Sequence, residues 1–348
     1  MEHMGINRTI FNGIREELGY YGCDEAEIDS FLKARWGFHR RQREAISILK
    51  GIMTLHGKQE LLCYVVELAR VEDGIRELEP WVRDHVVHAL LSFLLGIHIN
   101  EHFMKPAGFE IDFFQWKLAG LFHDVGYPAQ VARDILHPFA KQINSIKQNL
   151  GVAAPDIFFR TKPVGIDQLR NGVGSLDLIQ QQLDDWGLTV NARQEFTDMY
   201  DSGRICHGII SSLSILYVID LMYQKYNPGR KYEDIHEPTG INWNQSCFEN
   251  DVVPACSAIF IHNLPRRCFI NAPLDRQRAP LAFLLRLSDC LQDWGRPSAN
   301  NRRGMPSSGY RISIRNGRLK FTVADKDRRE EIAQEIEATL VGSNIDVC

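Results

Sequence analysis

The stretch Trp116-Lys-Leu-Ala-Gly-Leu-Phe-His-Asp-Val-Gly-Tyr-Pro128 constrains this chain more than any other part of it. An apolar helical run ends in adjacent His123 and Asp124 and is broken at once by Gly126 and Pro128. A buried imidazole and carboxylate side by side need compensation, because an unpaired buried charge is expensive. A bound metal cation is the usual compensation. It requires more ligands than two, so other apolar helices must bring theirs to the same point.

The sequence holds such helices. His85 and His88 lie in Trp81-Val-Arg-Asp-His-Val-Val-His-Ala-Leu-Leu-Ser-Phe-Leu-Leu-Gly, and His88 shares a face with Leu91, Ser92 and Leu95. His207 opens an apolar run at Cys206-His-Gly-Ile-Ile, and His262 closes another at Ile259-Phe-Ile-His. Asp289 lies in Leu284-Leu-Arg-Leu-Ser-Asp-Cys-Leu-Gln-Asp-Trp-Gly, on the face of Leu281, Leu285 and Gln292. Each has an ordinary explanation alone. A core histidine commonly hydrogen-bonds a backbone carbonyl, and a helix aspartate commonly pairs with an arginine, here Arg286. Together, four imidazoles and two carboxylates on five helices form a mixed nitrogen–oxygen set. That suits Fe, Mn, Zn, Ni or Co rather than calcium or a thiolate site.

Periodicity reads most of the chain as helix. Helical spacing of apolar residues covers 8–20, 24–35, 40–55 and 61–71. Pro80 is placed to open a helix reaching His98, with Glu77 and Glu79 favourable at its start. The His-Asp helix takes 111–124, and an amphipathic helix takes 130–149. Residues 150–195 are the least regular and read as an insertion with short helices, either a lid over the site or an ordinary surface excursion. One long apolar helix is expected over 196–226, a polar loop over 227–248, and helices over 250–263 and 279–294. Around Asn316-Gly317 apolar and polar residues alternate, the signature of a hairpin with a type I′ turn, followed by a helix over 325–340. The expected fold is therefore mostly α, a helical bundle with a small C-terminal β-hairpin and helix. Its parts are an N-terminal helical extension (1–79), a metal-binding domain (80–297) and a C-terminal appendage (298–348).

A formal charge of −4 argues against a dedicated nucleic-acid binder. The eight cysteines show no CxxC spacing, which fits a reducing, cytoplasmic setting. The apolar run at 208–222 is too short to span a bilayer, so no membrane association is expected.

The order His … His-Asp … His … His … Asp resembles the HD-domain superfamily of metal-dependent phosphohydrolases. The resemblance covers roughly 80–297 and is most specific at Leu121-Phe-His-Asp-Val-Gly-Tyr-Pro and Leu285-Arg-Leu-Ser-Asp. It implies a core metal site of His88, His123, Asp124 and Asp289, with His207 and His262 as the extra histidines of the two-metal branch. Asp124 would bridge two divalent transition-metal ions, and Asp124 and His207 are the expected catalytic residues. His85 competes with His88, and Asp293 weakly with Asp289. His3, His39, His56, His98, His102, His137 and His236 are taken as non-ligands. Arg296 and Lys162, with Arg160, are candidate phosphate contacts, although exposed cations are as often in surface ion pairs. Tyr127 is read equally as a pocket-lining or a packing residue, and Trp294 reads better as packing than as a base-stacking ring. The expected activity is hydrolysis of a small phosphate ester, a nucleotide for preference, by metal-activated water. A di-iron oxygenase on the same ligands and a nucleotide sensor without turnover are the alternatives. A homo-oligomer stays open.

Overall fold

The computed structural model describes residues 3–33, 37–54, 59–78, 84–149, 151, 163–169, 173–226, 235–236, 242–243, 247–294, 309–342 and 344–348. Its helices are α1 (His3–Ile14), α2 (Glu25–Lys33), α3 (Phe38–Thr54), α4 (Leu62–Leu78), α5 (His85–Ile99), α6 (Phe113–Phe122) and α7 (Tyr127–Asn149). There follow α8 (Ser175–Asp185), α9 (Ala192–Ser202), α10 (His207–Tyr226), α11 (Val253–Ile261), α12 (Pro280–Leu291) and α13 (Lys326–Thr339). The chain is mostly helical, as its periodicity predicts.

Two helices form the spine. Every residue of α5 is buried, and eight of the nine in α11 are. A helix apolar on all sides must be wrapped, and each large side chain so buried contributes about 1.5–3 kcal/mol. The pair α6 and α12 packs against both spines, α10 lies along α11, and α1, α3 and α4 cover the rest of α5. Depth between α5 and α6 is set by Trp116, whose indole N–H donates to Phe93 O at 3.1 Å. Its ring occupies the space that a side chain at Gly96 would need, with only 1.8 Å left to a Cβ there. The stretch His85–Ala107 is long and apolar enough to cross a membrane, but its most apolar part is buried inside the bundle.

Several element boundaries differ from the expectation. The first helix ends at Ile14 rather than at 20, and the chain turns through Gly22 at φ +73°. The helix expected from Pro80 begins, among the described residues, at His85, where the Asp84 carboxylate accepts the Val87 N–H at 3.0 Å as an N-cap; Pro80 itself lies outside those residues. The long helix expected over 196–226 is two, α9 and α10, meeting at 115°. Gly203 at φ +66° terminates the first in a left-handed cap, so His207 becomes the opening residue of the second. In the described part of this insertion α8 is core rather than cover: Leu176, Ile179 and Leu183 are buried, and α8 packs on α10 and α11. Within the expected polar loop, β1 (Ile235–His236) pairs antiparallel with β2 (Asn242–Trp243). Helix α12 stops at Leu291, three residues early, because Gln292 leaves helical geometry at ψ 87°.

At the C-terminus, β3 (Arg311–Arg315) and β4 (Arg318–Thr322) form the predicted hairpin. Asn316 and Gly317 both have positive φ, +50° and +69°, as a type I′ turn demands. A parallel partner, β5 (Ile345–Val347), was not foreseen. The appendage is tied to α12 through Asp293, which accepts from Arg328 Nε at 2.8 Å and Tyr310 Oη at 2.7 Å.

Candidate metal centre

Helix ends carry most of the site. His123 and His262 are the C-cap residues of α6 and α11, and His207 begins α10. The last carbonyls of a helix lack an intrahelical donor. His123 uses this by donating from Nδ1 to Gly120 O at 3.1 Å, and His262 likewise to Ile259 O at 2.7 Å. A neutral imidazole protonated on Nδ1 has a bare Nε2, the form that ligates metal. Both Nε2 atoms are buried and have no hydrogen-bond partner among the described residues. Burial pushes the His262 pKa down, against the pull of Asp124, and so keeps that ring neutral.

The ring nitrogens of the cluster face two carboxylates. His88 Nε2 lies 2.8 Å from Asp289 Oδ1, and His123 Nε2 lies 3.8 Å from the same oxygen. Asp124 Oδ1 has His207 Nε2 at 3.2 Å and the Nε2 atoms of His123 and His262 at 3.6 Å each. Its other oxygen, Oδ2, is 3.8 Å from His88 Nε2. Ligand atoms that share one ion at about 2.0–2.2 Å stand roughly 3 Å or slightly more from one another. Two sets have the necessary closeness: His88, His123 and Asp289, and His123, Asp124 and His262, each with its ligand atoms within 4.8 Å. The sets meet at His123, and the two oxygens of Asp124 look toward different sets. The buried His/Asp cluster can therefore hold a metal ion.

Electrostatics point the same way. Burial alone would raise the pKa of Asp124. The imidazoles of His123 and His85, with those of His207 and His262 close by, outweigh it and hold the carboxyl well below the usual range. Asp289 behaves alike: burial opposes ionisation, while His88 and then His123 and His262 favour it. Two ionised carboxylates that both approach the His123 imidazole suit a cation.

The remaining site residues fall as follows. His85 was set aside in favour of His88, yet its Nδ1 lies 2.7 Å from Asp124 Oδ2. Its backbone N–H donates to the buried Glu72 at 2.5 Å. The two histidines thus divide the work: His88 faces both carboxylates, and His85 braces Asp124. Tyr127 packs against His85, its ring centroid 3.7 Å from that of His85 and 6.0 Å from that of His207. Arg286 does not pair with Asp289. It binds Glu335 and the carbonyls of Ile261, His262 and Leu264, and so fastens the end of α11 that presents His262. Asp293 is engaged by Arg328 and Tyr310 rather than by the cluster. Trp294 is packing: it is 1% exposed, and its indole N–H donates to Asn7 Oδ1 at 2.8 Å. His39 and His102 have other partners, Asp73 and the Gly13 carbonyl. Arg160, Lys162, Arg296 and His56 lie outside the described residues, as do the side chains of His3, His137 and His236.

Sequence reasoning missed the polar residues that hold the ligands. Gln130 Oε1 lies 2.8 Å from His207 Nδ1, and Ser211 Oγ accepts the Gly126 N–H at 2.7 Å. Gln292 contacts His88 Nδ1. No local pattern marks a glutamine as the partner of a histidine about two hundred residues away. Solvent reaches Asp289, whose side chain is 28% exposed. The route is a cleft of about 300 Å³ edged by Arg266, Arg328, Glu331 and Glu335. Comparison with family models, with curated proteins and with solved structures finds no match to this chain.

Proposed function

We propose that the chain is a metal-dependent phosphohydrolase of the HD type, acting on a nucleotide or another small phosphate ester. One observation carries the reading. Two ligand sets share His123, and Asp124 turns one oxygen toward each. In that arrangement Asp124 is the carboxylate that two neighbouring ions would share. His88, His123, Asp124 and Asp289 would hold one ion, and Asp124, His207 and His262 the other.

When bound, divalent ions there supply Lewis acidity, lowering the pKa of water and neutralising charge that builds on a phosphoryl group. The protein's own part is orientation and exclusion. The Nδ1 bonds of His123 and His262 fix their tautomers, and His85 holds Asp124 in place. Tyr127 covers the His85 side and limits water there. At the mouth, Arg266 and Arg328 give the cleft guanidinium groups suited to an anionic substrate, although both are also paired with Glu335, Asp293 and Glu331.

Elemental analysis of the purified chain, coupled to a phosphate-release screen over nucleotides and simple phosphate esters with Mn²⁺, Co²⁺ and Ni²⁺, tests the proposal. Phosphate release that tracks metal content supports it. Dioxygen uptake by iron-loaded protein without phosphate release would replace hydrolysis with oxygenation. Nucleotide binding without turnover would make the chain a sensor.

A further inference from the structure

His88 reaches the cluster as the fourth residue of α5, not from a helix C-terminus as His123 and His262 do. Those two stand at helix ends, where a free carbonyl takes the Nδ1 proton. Inside α5 the carbonyls are spent on the helix ladder. Some other acceptor must decide which nitrogen of His88 carries hydrogen.

Gln292 is that acceptor by its position. Helix α12 ends at Leu291, and Gln292 turns out of helical geometry so that its amide reaches back to His88 Nδ1. The orientation of this amide is determined by its other end. Gln292 Nε2 donates to Trp294 O at 3.1 Å, and a carbonyl only accepts. The amide nitrogen therefore faces Trp294, and the amide oxygen faces His88. Opposite that oxygen, Nδ1 must be the donor. Trp294 is itself held, since its indole donates to Asn7, and Asn7 Nδ2 donates to Leu32 O at 2.9 Å. Ser92 Oγ, at 3.4 Å from His88 Nδ1, is the nearby but weaker substitute.

We infer that Gln292 is the positioning residue of the cluster: its amide oxygen, aimed by the Trp294 carbonyl, holds the His88 proton on Nδ1 and presents Nε2 to the ion beside Asp289. The inference rests on the metal centre proposed above. It links the N-terminal helices α1 and α2, through Asn7 and Trp294, to a first ligand of that centre.

The test compares zinc binding by metal-stripped wild type, Gln292→Met, Gln292→Glu and His88→Ala, using competition with a chromophoric chelator. Methionine keeps the volume and removes the acceptor. Loss of an outer partner of a ligating histidine lowers metal affinity roughly ten- to a hundredfold. That loss is expected for Gln292→Met, and Gln292→Glu, which keeps an acceptor toward Nδ1, should recover part of it. Nitrogen-15 NMR of histidine-labelled, zinc-loaded wild type supplies a reading independent of both activity and folding of the variants: His88 is expected protonated on Nδ1. Wild-type affinity in Gln292→Met, or a bare Nδ1 in the wild-type spectrum, overturns the inference while leaving the metal centre standing. If wild type and His88→Ala bind zinc equally weakly, the metal centre itself is wrong and the inference goes with it.

Discussion

Replacing Gly126 by alanine separates what the His-Asp turn needs chemically from what it needs sterically. Gly126 lies two residues after Asp124, pressed against the start of α10. A Cβ built there would stand 2.5 Å from His207 O, 2.7 Å from Ser211 N and 2.9 Å from Ile210 Cβ. Two of these atoms are backbone, so relief requires moving the first turn of α10 rather than a side-chain tip. Overpacking of this kind costs roughly 1–3 kcal/mol. The Gly126 N–H bond to Ser211 Oγ, at 2.7 Å, would strain with it. Gly51, near the end of α3, is the control, since a Cβ there meets nothing within 4 Å. The same substitution at an open helical site gains roughly 0.5–1 kcal/mol. Urea denaturation followed by circular dichroism should therefore separate Gly126→Ala from Gly51→Ala by roughly 1.5–4 kcal/mol, with opposite signs relative to wild type. Because His207 is the opening residue of α10, the 3.2 Å approach of its Nε2 to Asp124 should also loosen. Metal analysis of Gly126→Ala should then show weakened binding at the His207 and His262 side of the cluster. Equal stability of the two alanine variants would refute the steric reasoning.

Further outcomes follow from the same geometry. His123→Ala and Asp124→Ala should lose metal and any phosphate release yet remain folded; His207→Ala should lose less, because His88, His123 and Asp289 persist, and normal turnover by either of the first two would refute the ligand assignment. Burial and the neighbouring His102 push the His98 pKa from 6.5 down to about 4, so the unfolded chain takes up a proton there first as the pH falls. Stability should drop between pH 6.5 and 4 by about 3 kcal/mol from this group and level off below, and His98→Gln should lack that part of the acid sensitivity in pH-dependent urea melts. Lys117 is 1% exposed, and its Nζ has no hydrogen-bond partner among the described residues; burial lowers its pKa from 10.5 to about 8. Wild-type stability should rise as the pH passes from 8 to 10.5, and Lys117→Met should stabilise the protein at pH 7 by roughly 2–3 kcal/mol. A melt of Lys117→Met unchanged or lowered at pH 7 would show that the ammonium is accommodated after all.

Helix content, the hairpin at Asn316-Gly317 and the set of buried imidazoles and acids were legible in the sequence, because each is a local property. Apolar spacing reports a helix, an Asn-Gly pair reports a tight turn, and a polar group in an apolar run reports a need for compensation. Features that depend on distant partners were not legible. The break at Gly203 that puts His207 at a helix start reads in sequence as one more glycine near a helical run. The burial of α8 is decided by the facing surfaces of α10 and α11. The parallel strand β5 has no local signal apart from its partner β4. His85 and His88 differ by three residues on one helix, so no periodicity tells which of them faces the carboxylates. Only the packing of α5 against α6 and α12 does so, bringing His88 to Asp289 and His85 to the far oxygen of Asp124. The sequence by itself determined which chemical groups are present and on what kind of element. Tertiary structure alone decided their mutual distances and proton positions, because a ligand set depends on convergence in space and a tautomer on the acceptor across from it.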